Sequence, residues 1–188
     1  MRIIVLSHFL FDSKMKELHL DDSNVESTNM SFISILNTEE CLKYYLDEAD
    51  AKHYFSGHSN VLNVDFDDIS NDIIYKGHHF KALTMEQAET VYNFIEKEIS
   101  NGTECIYIHC RAGISRSRAV GEFIYRYCQS NGIEVDYADR DRYTSALNHG
   151  VLLRLQHVFW KKNKMMEYAD DAMDYPERFT NPIPTVYD

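Results

Sequence analysis

Much of what usually places a chain is missing from this one. No apolar run comes near the length needed to cross a bilayer, so no membrane partner is expected. Basic residues are few: nineteen Lys and Arg stand against thirty Asp and Glu, a formal net charge of −11. A protein that coats nucleic acid needs an extended basic face, so that class is excluded, although a small local basic pocket is not. The four cysteines, Cys41, Cys105, Cys110 and Cys128, include no C-x-x-C pair and no metal-like spacing. That excludes a disulfide scaffold and fits a reducing, cytoplasmic setting. His78, His79, His149 and His157 lack ligand spacing too, so neither a metal nor another cofactor is implied. No internal repeat or low-complexity tract is visible.

Proline is scarce and confined. All three prolines, at 176, 182 and 184, fall in the last thirteen residues. The segment 165–188 around them carries six acidic residues and one Arg, net −5, and reads as an extended or mobile tail. Residues 1–164 then read as a single domain, in line with a length of 188. The opening "MRIIVLSHFLFDS" is apolar, but His8 and Asp12 interrupt it and no small-residue cleavage site follows. It reads as a first strand rather than a secretory leader.

What is present supports a packed core: 44% of residues are hydrophobic and 13% aromatic. "RIIVL" (2–6), "SFISIL" (31–36), "NVLNVDF" (60–66) and "ECIYIH" (104–109) read as strands. The polar "DSKMKELHLDDSNVEST" between the first two reads as a loop, as does most of "NDIIYKGHHFKA". Asn37 with Glu40 resembles a capping box opening a helix over 38–49, and Thr84 with Gln87 a second one, whose helix stops at "NG" 101–102. Helical spacing returns from Ser115 to Asn131-Gly132 and over "VLLRLQHVFWKK" (151–162). Alternating strands and helices imply an α/β fold: a central, mostly parallel sheet flanked by helices.

One stretch stands apart. "YIHCRAGISRSRAV" (107–120) ends a strand on Cys110, turns at Gly113 and opens a helix near Ser115. Residues 110–127 hold four Arg and one Glu, net +3, in a strongly acidic chain. Inward N–H groups of such a loop, backed by a helix N-terminus, form an anion nest. A cysteine there loses its proton more readily and becomes a nucleophile. Arg116, six residues on, folds back over the nest, and its planar fork matches two phosphoryl oxygens. Arg111 contributes a backbone N–H and sits at the rim. Arg118 and Arg126 are expected on the helix surface, and Cys41, Cys105 and Cys128 in the core.

The pattern H-C-x-x-G-x-x-R-S, here His109-Cys110-Arg111-Ala112-Gly113-Ile114-Ser115-Arg116-Ser117, resembles the signature of the protein tyrosine phosphatase superfamily. "HCRAGISRS" looks most like its compact dual-specificity branch, and the resemblance extends more weakly over about 31–160. It implies a cysteine-phosphatase-like fold and a phosphorylated protein as substrate. Cys110 would be the nucleophile that becomes phosphorylated. Arg111 to Arg116, with Ala112, Gly113, Ile114 and Ser115 between them, would bind the phosphoryl group. Arg116 would also stabilise the transition state, and Ser117 would donate to the departing thiolate. His109 would orient the loop through hydrogen bonds.

The same resemblance places a general acid on a loop after an earlier strand, where "VDFDDIS" offers Asp65, Asp67 and Asp68. Strand alternation puts Leu62, Val64 and Phe66 inward and Asp65 outward. Asp68 is the first choice, Asp67 the alternative and Asp72 the outside candidate. Asn148, before the last helix, would lean on the phosphate loop and help order water.

Three rival readings remain. A non-protein substrate (a phosphoinositide, nucleotide or RNA 5′-phosphate) keeps the chemistry, but a single basic residue among Arg111, Ala112, Ile114 and Ser115 favours it only mildly. A phosphate-binding pseudophosphatase is disfavoured by the intact Cys110, Arg116 and Ser117. A sulfur-transfer or arsenate-reducing enzyme is disfavoured by the preceding His and the Arg-Ser ending.

Overall fold

The computed structural model describes residues 1–45, 53–142 and 144–165. The expected acidic tail, from 166 on, and the end of the helix expected over 38–49 lie outside the described residues.

Four strands, β1 (Arg2–Ser7), β2 (Met30–Leu36), β3 (Val61–Asp65) and β6 (Cys105–Cys110), form one sheet in the order β1-β6-β2-β3. Every pairing in it is parallel, so all four carboxyl ends lie along one edge. β2 and β6 are buried almost from end to end, as expected of central strands covered on both faces. Ile33, Ile35, Ile106 and Ile108 point to one face, into a core shared with α3 (Met85–Ser100), α4 (Arg116–Ser130) and α5 (His149–Lys162). Phe32, Cys105 and Tyr107 point to the other, against Phe11 and Met15 of α1 (His8–Glu17). The expected α/β fold is thus a parallel sheet with helices on both faces.

Two segments differ from the sequence reading. Residues 8–17, which fall in the stretch read as first strand and then, from Asp12, as loop, form α1, capped by Ser7 accepting from the Leu10 N–H. Its buried face is only Phe11 and Met15, too few apolar positions to betray a helix by periodicity. "IIYKGHHF", also read mostly as loop, is a hairpin of β4 (Ile73–Tyr75) and β5 (His78–Phe80). Its two-residue turn puts Lys76 at φ 51° and Gly77 at φ 81°, the left-handed pair that matches strand twist.

The capping box at Thr84 and Gln87 is present on both sides, and α3 stops at Asn101. The other cap shifts by one residue: Thr38, not Asn37, accepts from the Cys41 N–H and opens α2 (Glu39–Tyr45). No described helix is long and apolar enough to cross a membrane.

Candidate active site

Cys110 is the last residue of β6, and α4 begins six residues later. The intervening turn is set by its neighbour strand. Gly113 has φ 71°, and a Cβ there would lie 2.5 Å from the main chain of Leu6 and Ser7. Both the left-handed backbone and that close approach require glycine. The Arg111 carbonyl accepts from the His8 N–H at 3.1 Å, tying the loop to the start of α1.

The Cys110 sulfur receives the Gly113 N–H at 3.3 Å and lies 3.1 Å from Ser117 Oγ. The N–H donor suits a negatively charged sulfur, the hydroxyl beside it is able to donate as well, and the first turn of α4 adds the positive end of its dipole. Arg116 is 3% exposed and donates through Nη1 to the Leu36 and Phe66 carbonyls, at 3.1 and 2.6 Å. Its Nε is buried and has no hydrogen-bond partner. The fork is therefore fixed to the ends of β2 and β3 while one donor stays available.

Arg118 corrects an expectation. It is not on the helix surface but 4% exposed. Its Nε donates to the Gly113 carbonyl and its Nη1 to the Asp139 carbonyl, at 3.2 and 2.6 Å. It braces the back of the loop. Arg126 stays away from the site, paired with Glu122 at 2.7 Å. Sequence spacing alone did not separate these roles, because both residues fall on the same α4.

His109 is fully buried, and neither ring nitrogen has a hydrogen-bond partner. Beyond a main-chain contact with Cys110, it has none of the orienting hydrogen bonds expected of it. Instead the ring packs 4.3 Å from Phe11 and 5.2 Å from His8. Burial first, then repulsion from His8 and His53, pushes its pKa down to about 3. The loop after Cys110 thus rests on a neutral, aromatic floor.

The aspartates separate clearly. Asp67 is 1% exposed. Its carboxylate accepts from the Thr38 N–H and hydroxyl and from the Lys81 N–H, at 2.8–3.1 Å. It ties α2 to the end of the hairpin. Asp68 is exposed and lines the pocket; its Oδ1 accepts from Ser115 Oγ at 2.7 Å and from Asn148 Nδ2 at 2.8 Å. Asp65 points outward, as expected, and binds His53 at 2.7 Å. Asp72 accepts from the Ala82 N–H, closing the base of the hairpin away from the pocket lining. Asn148 caps α5 through Oδ1 on the Val151 N–H and spends Nδ2 on Asp68. Its tie to the loop after Cys110 is a long main-chain contact, 3.5 Å to the Ser115 carbonyl.

These groups surround one pocket of about 410 Å³. Cys110, Arg111, Ala112, Ile114, Ser115 and Arg116 form its floor and one bank. Tyr45, Ile69 and Phe80 form an apolar bank opposite, together with Cys41. Burial, then the nearby Asp67 charge, pushes the Cys41 thiol up to about 12, so it lines the pocket as a neutral group. Tyr45 and Phe80 went unnoticed in the sequence. They reach the site through α2 and a hairpin whose pairing no periodicity announced.

No protein-family model matches the chain. Over 83 residues, 44% of its length, it is 34% identical to a Clustered mitochondria protein homolog of Candida glabrata. The chain spans 6% of that protein's length, and the name bears on none of the chemistry above.

Proposed function

We propose that the chain is a cysteine-dependent phosphatase that hydrolyses phosphomonoesters in proteins, phosphotyrosine above all. One arrangement carries the reading: a sulfur that receives an N–H and lies beside a serine hydroxyl shares a pocket with a buried arginine whose Nε is unsatisfied. An unpaired buried donor is costly, and a phosphoryl oxygen is a partner of matching charge. The aromatic side chains Tyr45 and Phe80 suit the ring of a phosphotyrosine.

In this mechanism the Cys110 thiolate attacks phosphorus in line with the ester oxygen. The S–P bond forms as the P–O bond breaks, and Asp68 gives its proton to the leaving oxygen. Both hydrogen bonds to Asp68 fall on Oδ1, which leaves Oδ2 to carry the proton. Water then attacks the phosphocysteine, Asp68 takes up a proton from it, and the S–P bond breaks. Ser117 donates to the departing sulfur, and phosphate leaves. Arg116 and the loop N–H groups neutralise the equatorial oxygens throughout.

The test is turnover of p-nitrophenyl phosphate in the presence of EDTA. Wild-type activity that vanishes in Cys110→Ser and is blocked by vanadate is the expected result. Retained turnover in Cys110→Ser would end the nucleophile assignment.

A further inference from the structure

All the large apolar side chains that stand exposed among the described residues are Phe9, Leu10, Tyr45, Ile73, Ile74 and Tyr75. They are not scattered. Phe9 and Leu10 begin α1, just after the carboxyl end of β1, beside the Arg111 carbonyl that His8 holds. Ile73 to Tyr75 are β4, which follows β3 through the Asp68 loop, and Tyr45 lines the pocket. The sheet is parallel with β1 and β3 at its two edges, so these groups flank Cys110 from both sides at the same end. Three strand spacings separate β1 from β3, about 15 Å, which some four or five residues of extended chain span.

We infer that this rim is the docking face for an extended, acidic phosphopeptide segment of the substrate, paired along the outer edge of β4. The inference rests on the phosphatase reading for the fate of the phosphate, but not for the docking. Two observations select a polypeptide. First, among the described residues β4 pairs with β5 alone. In a hairpin with a two-residue turn, Tyr75 and His78 form the hydrogen-bonded pair, so the main-chain groups of Ile74 face outward. That open edge offers the N–H and C=O of Ile74, a match for another main chain rather than for a lipid or a free nucleotide. Second, cations stand on both sides of the rim. Residues 73–81 carry Lys76 and Lys81, with Asp72 just before them and Glu40 held on His78, and Arg111 is exposed at the opposite rim. In a chain of net charge −11, these cations favour an acidic segment, while the total disfavours an anionic membrane. The hairpin ends in Phe80, a side chain of the pocket wall, so a peptide on β4 is delivered to the site that would take its phosphoryl group.

The experiment measures binding of a fluorescein-labelled acidic peptide with a central phosphotyrosine to the full chain, alongside p-nitrophenyl phosphate turnover. Ile74→Asp and, separately, Phe9→Ser are expected to weaken peptide binding about ten-fold, with turnover of the small ester within about two-fold of wild type. Both side chains are exposed, so thermal unfolding should be unchanged. Equal peptide affinity in wild type and Ile74→Asp would overturn the proposal. So would stronger binding to phosphoinositide vesicles than to the peptide, or a dimer in sedimentation that Ile74→Asp dissociates, which would assign the edge to a second copy. Absent turnover in wild type would overturn the phosphatase reading instead and leave the docking face to the binding result.

Discussion

On one bank of the pocket, residues 110–116 pack main chain on main chain against β1 and are braced by Arg116 and Arg118, whereas on the other, residues 67–80, carboxylates reach across to main chain. Gly113 touches the backbone of Leu6 and Ser7, and Arg111 is fixed through its carbonyl. Opposite them, Asp67 gathers Thr38 and Lys81 onto one carboxylate, and Asp72 clasps Ala82. The first bank is a main-chain cradle with no slack. The second is a carboxylate-pinned wall, whose shape follows from which aspartate is buried.

The largest expected effect breaks the first bank. Gly113→Ala adds a Cβ into the Leu6 main chain at a positive φ, and β1 cannot retreat without losing its pairing to β6. Backbone strain and overpacking together are expected to cost about 3 kcal/mol or more. A urea midpoint within error of wild type would show that β1 and the loop are less tightly matched than their contact implies.

The second prediction exchanges neighbours on the other bank. Asp67→Asn keeps size but removes a charged acceptor that serves two N–H groups and a hydroxyl. It should destabilise the fold by about 2 kcal/mol. Asp68→Asn should leave stability nearly unchanged and slow hydrolysis of alkyl phosphates about a hundred-fold, with activated aryl phosphates affected far less. The reverse pattern, a rate loss in Asp67→Asn with intact stability, would make Asp67 the acid and Asp68 the ornament.

The same contrast explains what could be read before the coordinates. β2, β6 and the start of α4 were legible because central parallel strands are continuous apolar runs and a cradle of this kind needs Gly, Arg and Ser at set offsets. Asp68 was reachable through strand alternation, since Leu62, Val64 and Phe66 set the phase that ends at the pocket. α1 was not legible, because it buries only Phe11 and Met15. The hairpin at 73–80 was not legible either: all of β4 is exposed, so it has no inward phase to detect. Arg118 was misplaced for a third reason. Its partners are carbonyls of Gly113 and Asp139, and main-chain acceptors leave no mark in a sequence.

The smallest effect concerns the ground beneath the first bank. His109 holds no proton in the fold until about pH 3, because burial, then His8 and His53, oppose its charge. In the unfolded chain the same ring takes a proton near pH 6.5. Between those two values the unfolded state binds a proton that the folded state does not. Stability is therefore lost as pH falls below about 6.5, and is insensitive to this group above it. At pH 5 the loss from His109 alone is about 2 kcal/mol. His109→Phe keeps an aromatic ring against Phe11 and removes the titration. The fall in unfolding free energy from pH 7 to pH 5 should then shrink by about that amount. If the variant shows the wild-type pH dependence, or if the His109 ring titrates by NMR near pH 6, the floor of the cradle is wetter than its packing implies. The asymmetry between the two banks would then be one of geometry alone.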